Sequence, residues 1–262
     1  MAYFKGKNVL ITGASMGLGY EFVKLFAMDG ANLIITARSK SKLLEIKEEI
    51  EKKYNADVIV LEKDLIKKEA PEEIFNQLSE NNIPVNVLVN NAGFGYYGDF
   101  SETDLDRQID MIRLNVLSLV QLTGLFLPAM IEKGYGKIIN VGSIAGFQGI
   151  PTHGIYSATK AFVMVFSESI ADELEDKGII VTCLCPGPTK TNFFKTAAIE
   201  RTKISKFGLM KADKVAKIGY DALKKNKRIV ISGTKNRIGI FIERFLSRKF
   251  ITKLARKINE AR

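Results

Sequence analysis

Short runs of Val, Ile and Leu alternate with longer stretches of helical apolar spacing over about the first 190 residues. Several runs are continuously apolar, which is typical of parallel strands covered by helices on both faces. With right-handed crossovers, this rhythm predicts one doubly wound parallel α/β sheet. Its seven strands are expected at Asn8–Thr12, Asn32–Thr36, Asp57–Leu61, Val85–Asn90, Lys137–Val141, Ile179–Cys185 and Arg228–Ser232.

The chain has no Pro-rich linker, internal repeat or break in composition that would divide it. We therefore expect a single domain over residues 1–262, with helices filling the intervals between strands. Residues 190–212 are expected to form a substrate lid. Residues 235–262 are expected to form a basic, amphipathic C-terminal extension.

Hydrophobic residues make up 46% of the chain and charged residues 26%, which is the balance of a soluble globular protein. The first dozen residues lack the pattern of a secretory signal, and no window holds the roughly 20 uninterrupted apolar residues of a membrane span. A cytoplasmic protein is expected. Cys183 and Cys185 are expected to be buried free thiols, and with His153 as the one histidine we expect no metal site.

The net charge of +10 is unevenly distributed. From Arg201 onward the chain has 19 Lys and Arg against four Asp and Glu, whereas the first 200 residues have 20 against 25. The basic character therefore belongs to the C-terminal quarter.

The first predicted strand leads into TGASMGLG at residues 12–19 and then into a predicted helix. Glycine lets the backbone turn sharply and approach a pyrophosphate, and the free amides of a helix start favour an anion. A tight turn alone would also use three glycines, but strand, turn and helix in this order favour a dinucleotide site of Rossmann type. The expected contacts are Thr12, Gly13, Ser15, Met16, Gly17, Leu18 and Gly19.

The second predicted strand ends in Arg38 and Ser39, where an NAD-binding fold usually has a carboxylate for the ribose diol. Arginine cannot accept a hydrogen bond from a ribose hydroxyl, but it pairs well with a 2′-phosphate. We therefore expect NADP(H) to be favoured over NAD(H), with a solvated surface arginine as the alternative.

Two further strand ends carry candidate cofactor contacts. Asp64 and Leu65 follow the third strand, and Asn91, Ala92 and Gly93 follow the fourth. Simple turn chemistry would also explain these residues. Their shared position at the carboxyl ends of strands favours the nucleotide crevice.

Ser143 follows the fifth strand, and Tyr156 and Lys160 are four residues apart at the start of the next helix, so they share one face. A phenol with a pKa near 10 can donate a proton to a developing alkoxide, and a neighbouring ammonium is expected to lower that pKa. Each residue alone has an ordinary structural explanation. Their convergence on one crevice indicates carbonyl or alcohol chemistry.

In these motifs the sequence resembles the short-chain dehydrogenase/reductase family, from TGASMGLG through NNAG at residues 90–93 and YSATK at residues 156–160 to PGPT at residues 186–189. The resemblance implies a catalytic tetrad with Tyr156 as general acid/base, Ser143 polarising the carbonyl, Lys160 holding the nicotinamide ribose and Asn115 supporting a water-linked proton relay. It also implies a homodimer or homotetramer. Contacts with the carboxamide end of the cofactor would come from Pro186, Gly187, Thr189 and Thr191.

The substrate is expected to be a small molecule with a hydrophobic ketone or a 3-oxoacyl-type carbonyl. The apolar residues after strand ends or in the lid are Phe94, Tyr96, Tyr97, Phe147, Ile150, Phe193 and Phe194. The tail is similar, more loosely, to that of hydroxysteroid and 3-ketoacyl reductases.

The basic tail predicts an amphipathic helix with Ile238, Phe241, Ile242, Phe245 and Leu246 on one stripe, followed by a second such helix. Three roles remain open: packing over the cleft or a subunit, peripheral contact with an anionic membrane, and attraction of an anionic substrate. Nucleic acid is not expected as a partner, because the charge lacks a recognition motif. A non-catalytic NADPH sensor is the other alternative.

Overall fold

The first strand, β1 (Asn8–Thr12), is the third of seven strands in a parallel sheet with the order β3-β2-β1-β4-β5-β6-β9. A computed structural model describes residues 2–191 and 209–259. In these residues, the other strands of this sheet are β2 (Asn32–Ala37), β3 (Val58–Glu62), β4 (Val87–Asn90), β5 (Gly136–Val141), β6 (Ile179–Cys185) and β9 (Ile229–Ile231). A separate short pair joins β7 (Thr189–Lys190) to β8 (Met210–Lys211). The strand order reverses between β1 and β4, so a crevice opens there.

Helices cover both faces of the sheet. They are α1 (Gly17–Met28), α2 (Lys40–Tyr54), α3 (Ala70–Glu80), α4 (Leu105–Ile112), α5 (Ser118–Glu132), α6 (Gly154–Glu173) and α7 (Ala212–Lys224). One core contains Phe22 and Phe26 of α1 with Tyr220 of α7, and the other contains Ile74 of α3 with Phe126 of α5. Inner strands such as β1 and β4 are buried from both sides and are mostly apolar, whereas the edge strands β3 and β9 are partly exposed.

The C-terminal residues form α8 (Thr234–Glu243) and α9 (Arg248–Asn259). All five residues of the apolar stripe predicted on this tail are exposed in the single chain, and Ile240, which lies outside that stripe, is buried instead. The stripe therefore does not pack against its own fold, and the other roles named for the tail stay predictions. A helical period locates an apolar stripe but does not say which side of the helix faces the fold.

Local chemistry fixes several helix boundaries. The Oγ of Ser39 accepts from the backbone N of Lys42 at 3.4 Å at the start of α2, and Asn55 ends that helix at φ 51°. Asp104 caps α4 through Asp106 and Arg107. The strand bounds differ from the predicted ones by at most two residues, as at β4, which begins at Val87 rather than Val85.

Helices α4 and α5 join through a π-helical turn at Arg113–Leu117, giving one helical stretch over Leu105–Glu132. Among the described residues, it is the one helix that is long enough and apolar enough to cross a membrane, with a mean hydropathy of 1.8. Leu122, Phe126 and Met130 on its inner side belong to the core beneath the sheet. This packing makes the stretch a core helix of the domain.

Candidate active site

A cleft of about 940 Å³ lies at the carboxyl ends of the central strands. It is bordered by the turns that follow β1, β2, β3, β4, β5 and β6, and by α8 and α9. Almost all of the predicted cofactor residues line it. Those in the lining are Gly13, Ser15, Met16, Gly17, Leu18, Arg38, Ser39, Asp64, Leu65, Asn91, Ala92, Gly93, Tyr156, Lys160, Pro186, Gly187, Thr189 and Thr191.

The glycine-rich turn after β1 needs its glycines for two reasons. Gly13 and Gly17 have φ values of 63° and 58°, in the left-handed region that favours glycine. At Gly19, a Cβ would collide with the carbonyl oxygen of Gly13. Substitution at Gly19 would therefore force the turn and the start of α1 apart.

Thr12 and Gly19, although predicted as contacts, lie outside the cleft lining and shape its floor. The Thr12 Oγ1 accepts from the backbone N atoms of Asn91 and Ala92, both at 2.9 Å. The Asn91 Nδ2 donates to the Thr12 carbonyl at 2.8 Å. These bonds join the end of β1 to the end of β4 across the crevice.

Arg38 and Ser39 lie exposed at one end of the cleft, beside Asp64. A smaller hollow of about 380 Å³ adjoins them and is lined by Arg38, Glu62, Lys63, Asp64 and Lys67. Lys63 pairs with Glu73 at 2.5 Å. Within residues 2–191 and 209–259, the ion pairs do not include Arg38, so its guanidinium is available to an anion.

Three of the tetrad residues meet at the other end. Ser143 lies just past β5, and its side chain hydrogen-bonds Tyr156 near the start of α6. Lys160, one turn later, directs its Nζ to the carbonyl O of Val141 at 2.8 Å and lies 5.9 Å from the centre of the Tyr156 ring. The predicted convergence is present in the geometry.

Asn115 lies behind the cleft surface, in the π-helical turn. Its Oδ1 accepts from the Phe94 N at 3.0 Å, and its Nδ2 donates to the Phe94 O at 2.9 Å and to the Thr159 Oγ1 at 3.1 Å. A Cβ on Gly93 would lie 2.9 Å from the Asn115 Oδ1 and 3.6 Å from the Lys160 Nζ. Asn115 thus holds the loop after β4 against α6.

Burial sets the titration of the two central groups. It raises the pKa of Tyr156 to about 12, although the Ser143 hydrogen bond acts in the opposite direction. Burial also lowers the pKa of Lys160 to about 8. The lowering of the Tyr156 pKa that was expected from Lys160 is not among these causes, and the phenol is protonated at neutral pH.

The predicted apolar substrate residues divide into four groups. Phe94 and Ile150 line the cleft, together with Ile144 and Ala145. Phe147 instead packs against the core around Cys183 and Cys185, which are free and buried as expected. The Tyr96 ring contacts Arg107, with 5.2 Å between the guanidinium carbon and the ring centre, and the Tyr97 ring contacts that of His153. Phe193 and Phe194 are outside the described residues, as is most of the predicted lid.

His153 is a cleft residue that the sequence interpretation missed. It is 4% exposed, its Nδ1 has no hydrogen-bond partner among the described residues, and its ring centre lies 6.4 Å from that of Tyr156. Burial lowers its pKa to about 4. Its position at the start of α6, three residues before Tyr156, was the signal that could have found it.

The C-terminal helices also contribute to the cleft, which is one of the three roles left open for the tail. Asn236 and Glu243 of α8 and Ala255 and Ile258 of α9 lie in its lining. Burial raises the pKa of Glu243. The tail is therefore a wall of the cleft as well as a surface.

Comparison with known proteins gives consistent results. The family model described as short chain dehydrogenase matches residues 7–202. Ketoacyl reductase HetN of Nostoc sp. is 32% identical over 187 residues, covering 71% of this chain and 65% of that protein. Very-long-chain 3-oxoacyl-CoA reductase of Anas platyrhynchos is 35% identical over 196 residues, covering 72% and 62%.

A solved short-chain dehydrogenase from Sphingobium yanoikuyae, in complex with NADPH, superposes with a TM-score of 0.82 at 27% identity, covering 94% of this chain and 95% of that one. The chain spans less than two thirds of the length of the two curated relatives above. The matches confirm the predicted fold class and the predicted family. The chain belongs to the short-chain dehydrogenase family.

Proposed function

We propose that this protein is an NADP(H)-dependent oxidoreductase that reduces the carbonyl of a hydrophobic ketone or 3-oxoacyl-type substrate, or oxidises the corresponding alcohol. The observation that carries the proposal is the meeting of Ser143, Tyr156 and Lys160 at one end of a cleft whose other end carries Arg38. A proton donor and an anion-binding group thus occupy the two ends of a dinucleotide-sized space.

The lining fits a nicotinamide dinucleotide. The turn at residues 13–18 brings backbone close to the cleft, and a side chain on Gly13 would press against Asn91 and Ala92. The helix start at Gly17 favours a pyrophosphate. We propose that Asp64 and Leu65 hold the adenine end and that residues Pro186–Thr189 hold the carboxamide end.

Arg38 supports the preference for a 2′-phosphate. It is exposed at the rim of the cleft with Lys63 and Lys67 nearby, and Ser39 lies beside it at the N-terminus of α2. The hollow also carries the carboxylates of Glu62 and Asp64, so the preference rests on the guanidinium itself, which pairs with a dianion better than with a ribose diol. The solved neighbour from Sphingobium yanoikuyae is a complex with NADPH.

The bound dihydronicotinamide supplies a hydride to the carbonyl carbon. We propose that Tyr156 donates its phenolic proton to the carbonyl oxygen as negative charge develops there, and that Ser143 donates a hydrogen bond to the same oxygen. With its pKa raised to about 12, Tyr156 is fully protonated at neutral pH, as an acid for reduction must be.

Lys160 and Asn115 act around the phenol. We propose that the Lys160 ammonium, held by the Val141 carbonyl, binds the ribose hydroxyls and returns a proton towards Tyr156. Asn115 fixes the backbone at Phe94 and contacts Thr159, the residue before Lys160. Its role in this proposal is to position the loop and the helix on which the relay depends.

The apolar walls support a hydrophobic substrate. Phe94, Ile144, Ile150 and Ile258 line the cleft, and the two curated relatives are named for reduction of ketoacyl and 3-oxoacyl substrates. We propose a cytoplasmic homodimer or homotetramer. Leu117, Phe162 and Val165, all exposed on the helices flanking the site, support assembly between subunits.

The test is oxidation of NADPH and NADH by the full chain against a panel of ketones, aldehydes, 3-oxoacyl thioesters and ketosteroids. We expect turnover with NADPH on an apolar carbonyl, lowered by at least about 10²-fold in Tyr156→Phe. NADPH binding without turnover on any member of the panel would favour a cofactor-binding sensor and overturn the proposed reaction.

A further inference from the structure

Helix α8 presents its apolar side to solvent. Its inner side carries the partly or fully buried residues Asn236, Ile240 and Glu243. Its outer side carries four exposed apolar residues, with Phe245 just beyond the helix end at 75% exposure and Phe241 at 58%. These two rings contact each other edge to face at 5.5 Å. An outward apolar side of this kind marks a binding surface, because monomeric proteins seldom expose contiguous apolar area. The four residues are Ile238, Phe241, Ile242 and Phe245.

Helix α9 has an apolar arc wider than the fold covers. Ile251, Ala255 and Ile258 lie at i, i+4 and i+7 on the side that faces the cleft and are partly or fully buried. Phe250 and Leu254 continue the same arc and are exposed. Together with the outer residues of α8 they form one feature, the C-terminal patch, at the edge of the cleft.

Cations surround the C-terminal patch. Residues 234–259 contain eight Lys and Arg but only Glu243 as an acid, and that carboxyl group lies in the cleft lining. The ion pairs among residues 2–191 and 209–259 include none of the basic residues between Arg244 and Lys253. Those exposed residues are Arg244, Arg248, Lys249 and Lys253.

We propose that the C-terminal patch docks on an anionic lipid bilayer. Apolar residues at the centre of a helical surface with a cationic fringe match the two layers of such a membrane, the acyl boundary and the charged headgroups. A second copy of this chain fits less well, because a twofold contact would place each basic fringe against the same fringe of its partner.

The docked position also determines where the substrate enters the cleft. The cleft is walled by the inner sides of α8 and α9, whose outer residues form the patch. An apolar carbonyl substrate dissolved in the bilayer therefore enters beside Ala255 and Ile258 without crossing water. This delivery step rests on the proposed reductase function, whereas the docking itself does not.

The experiment is sedimentation of the full chain with vesicles of phosphatidylcholine and phosphatidylglycerol, against vesicles of phosphatidylcholine alone. One variant combines Phe241→Asp with Phe245→Asp, and its control combines Phe100→Asp with Leu105→Asp, two exposed apolar residues away from the patch.

A second variant tests the cationic fringe and combines Arg244→Glu with Lys249→Glu. Its control has the same change in charge and combines Lys225→Glu with Lys227→Glu. Circular dichroism and NADPH binding confirm that each variant folds.

We expect binding to the anionic vesicles that both patch variants weaken by at least about tenfold and both controls leave unchanged. Activity on a water-soluble carbonyl should be unaffected by the patch variants. Absence of binding to anionic vesicles, or equal losses in patch and control variants, would overturn the docking. A smaller assembly of Phe241→Asp with Phe245→Asp, together with unchanged vesicle binding, would show that the patch joins subunits instead.

Discussion

The Nζ of Lys160 donates to the backbone carbonyl of Val141 at 2.8 Å, which fixes a buried ammonium beneath the Tyr156 phenol. The carbonyl belongs to the last residue of β5, and the lysine is on the following helix. The bond therefore holds α6 at a set depth against the end of the sheet. Burying the charge opposes folding, because an ammonium loses its hydration there.

Replacing Lys160 should reduce turnover and increase stability. The lowering of its pKa from 10.5 to about 8 means that the folded state disfavours the charge, so the free energy of unfolding rises as the pH increases between these values. Lys160→Met should gain on the order of 1–2 kcal/mol at pH 7, after the lost Val141 hydrogen bond is set against the relief of desolvation. Urea unfolding at pH 7 measures the gain. The control is Lys214→Met, on the exposed side of α7. A Lys160→Met protein that is less stable than the parent would show that burial of the ammonium does not oppose folding.

Removing the Tyr156 hydroxyl should abolish most of the chemistry while leaving the cleft intact. In Tyr156→Phe, kcat should fall by about 10²- to 10⁴-fold, because the proton donor is lost. NADPH affinity, followed by quenching of cofactor fluorescence, should stay within a few-fold of the parent. Because the pKa of Tyr156 is about 12, protonation of this group should impose no loss of reductive turnover between pH 6 and 9. Near-normal turnover of the variant would show that another group supplies the proton.

The arrangement of Ser143, Tyr156 and Lys160 was predictable because it depends on two simple rules. Parallel strands end at the same edge of a sheet, and residues four apart share a helix face. Arg38 and the loop after β4 followed from the same strand ends. The family assignment came from these motifs, which are local in sequence.

Other features were not predictable because they depend on tertiary placement. The position of Asn115 behind the cleft depends on the π-helical turn, which changes the direction of a side chain within an otherwise regular helix. The stripe of α8 faces outward because Asn236, Ile240 and Glu243 occupy the side of the helix that faces the fold. Periodicity carries no information on either point.

Exchanging Arg38 for a carboxylate should reverse the cofactor preference. Arg38→Asp removes the partner of the 2′-phosphate and adds an acceptor for a ribose hydroxyl, so the ratio of kcat/KM for NADPH to that for NADH should fall by at least about tenfold. Lys40→Asp makes the same charge change two residues away, outside the cleft lining, and should leave the ratio near the parent value. An unchanged ratio in Arg38→Asp would mean that the arginine is only a solvated surface residue.

His153 should make the fold sensitive to acid. Burial lowers its pKa from 6.5 to about 4, so the unfolded chain binds a proton that the folded chain does not between these values. The free energy of unfolding should therefore decrease as the pH falls from about 6.5 to 4, by about 2–3 kcal/mol from this residue. His153→Phe keeps a ring beside Tyr97 and removes the titration, so the difference between parent and variant isolates the histidine from the carboxylates. Thermal unfolding of both proteins at pH 7 and pH 4.5 gives that difference, and parallel losses of Tm would show that His153 is protonated in the folded state.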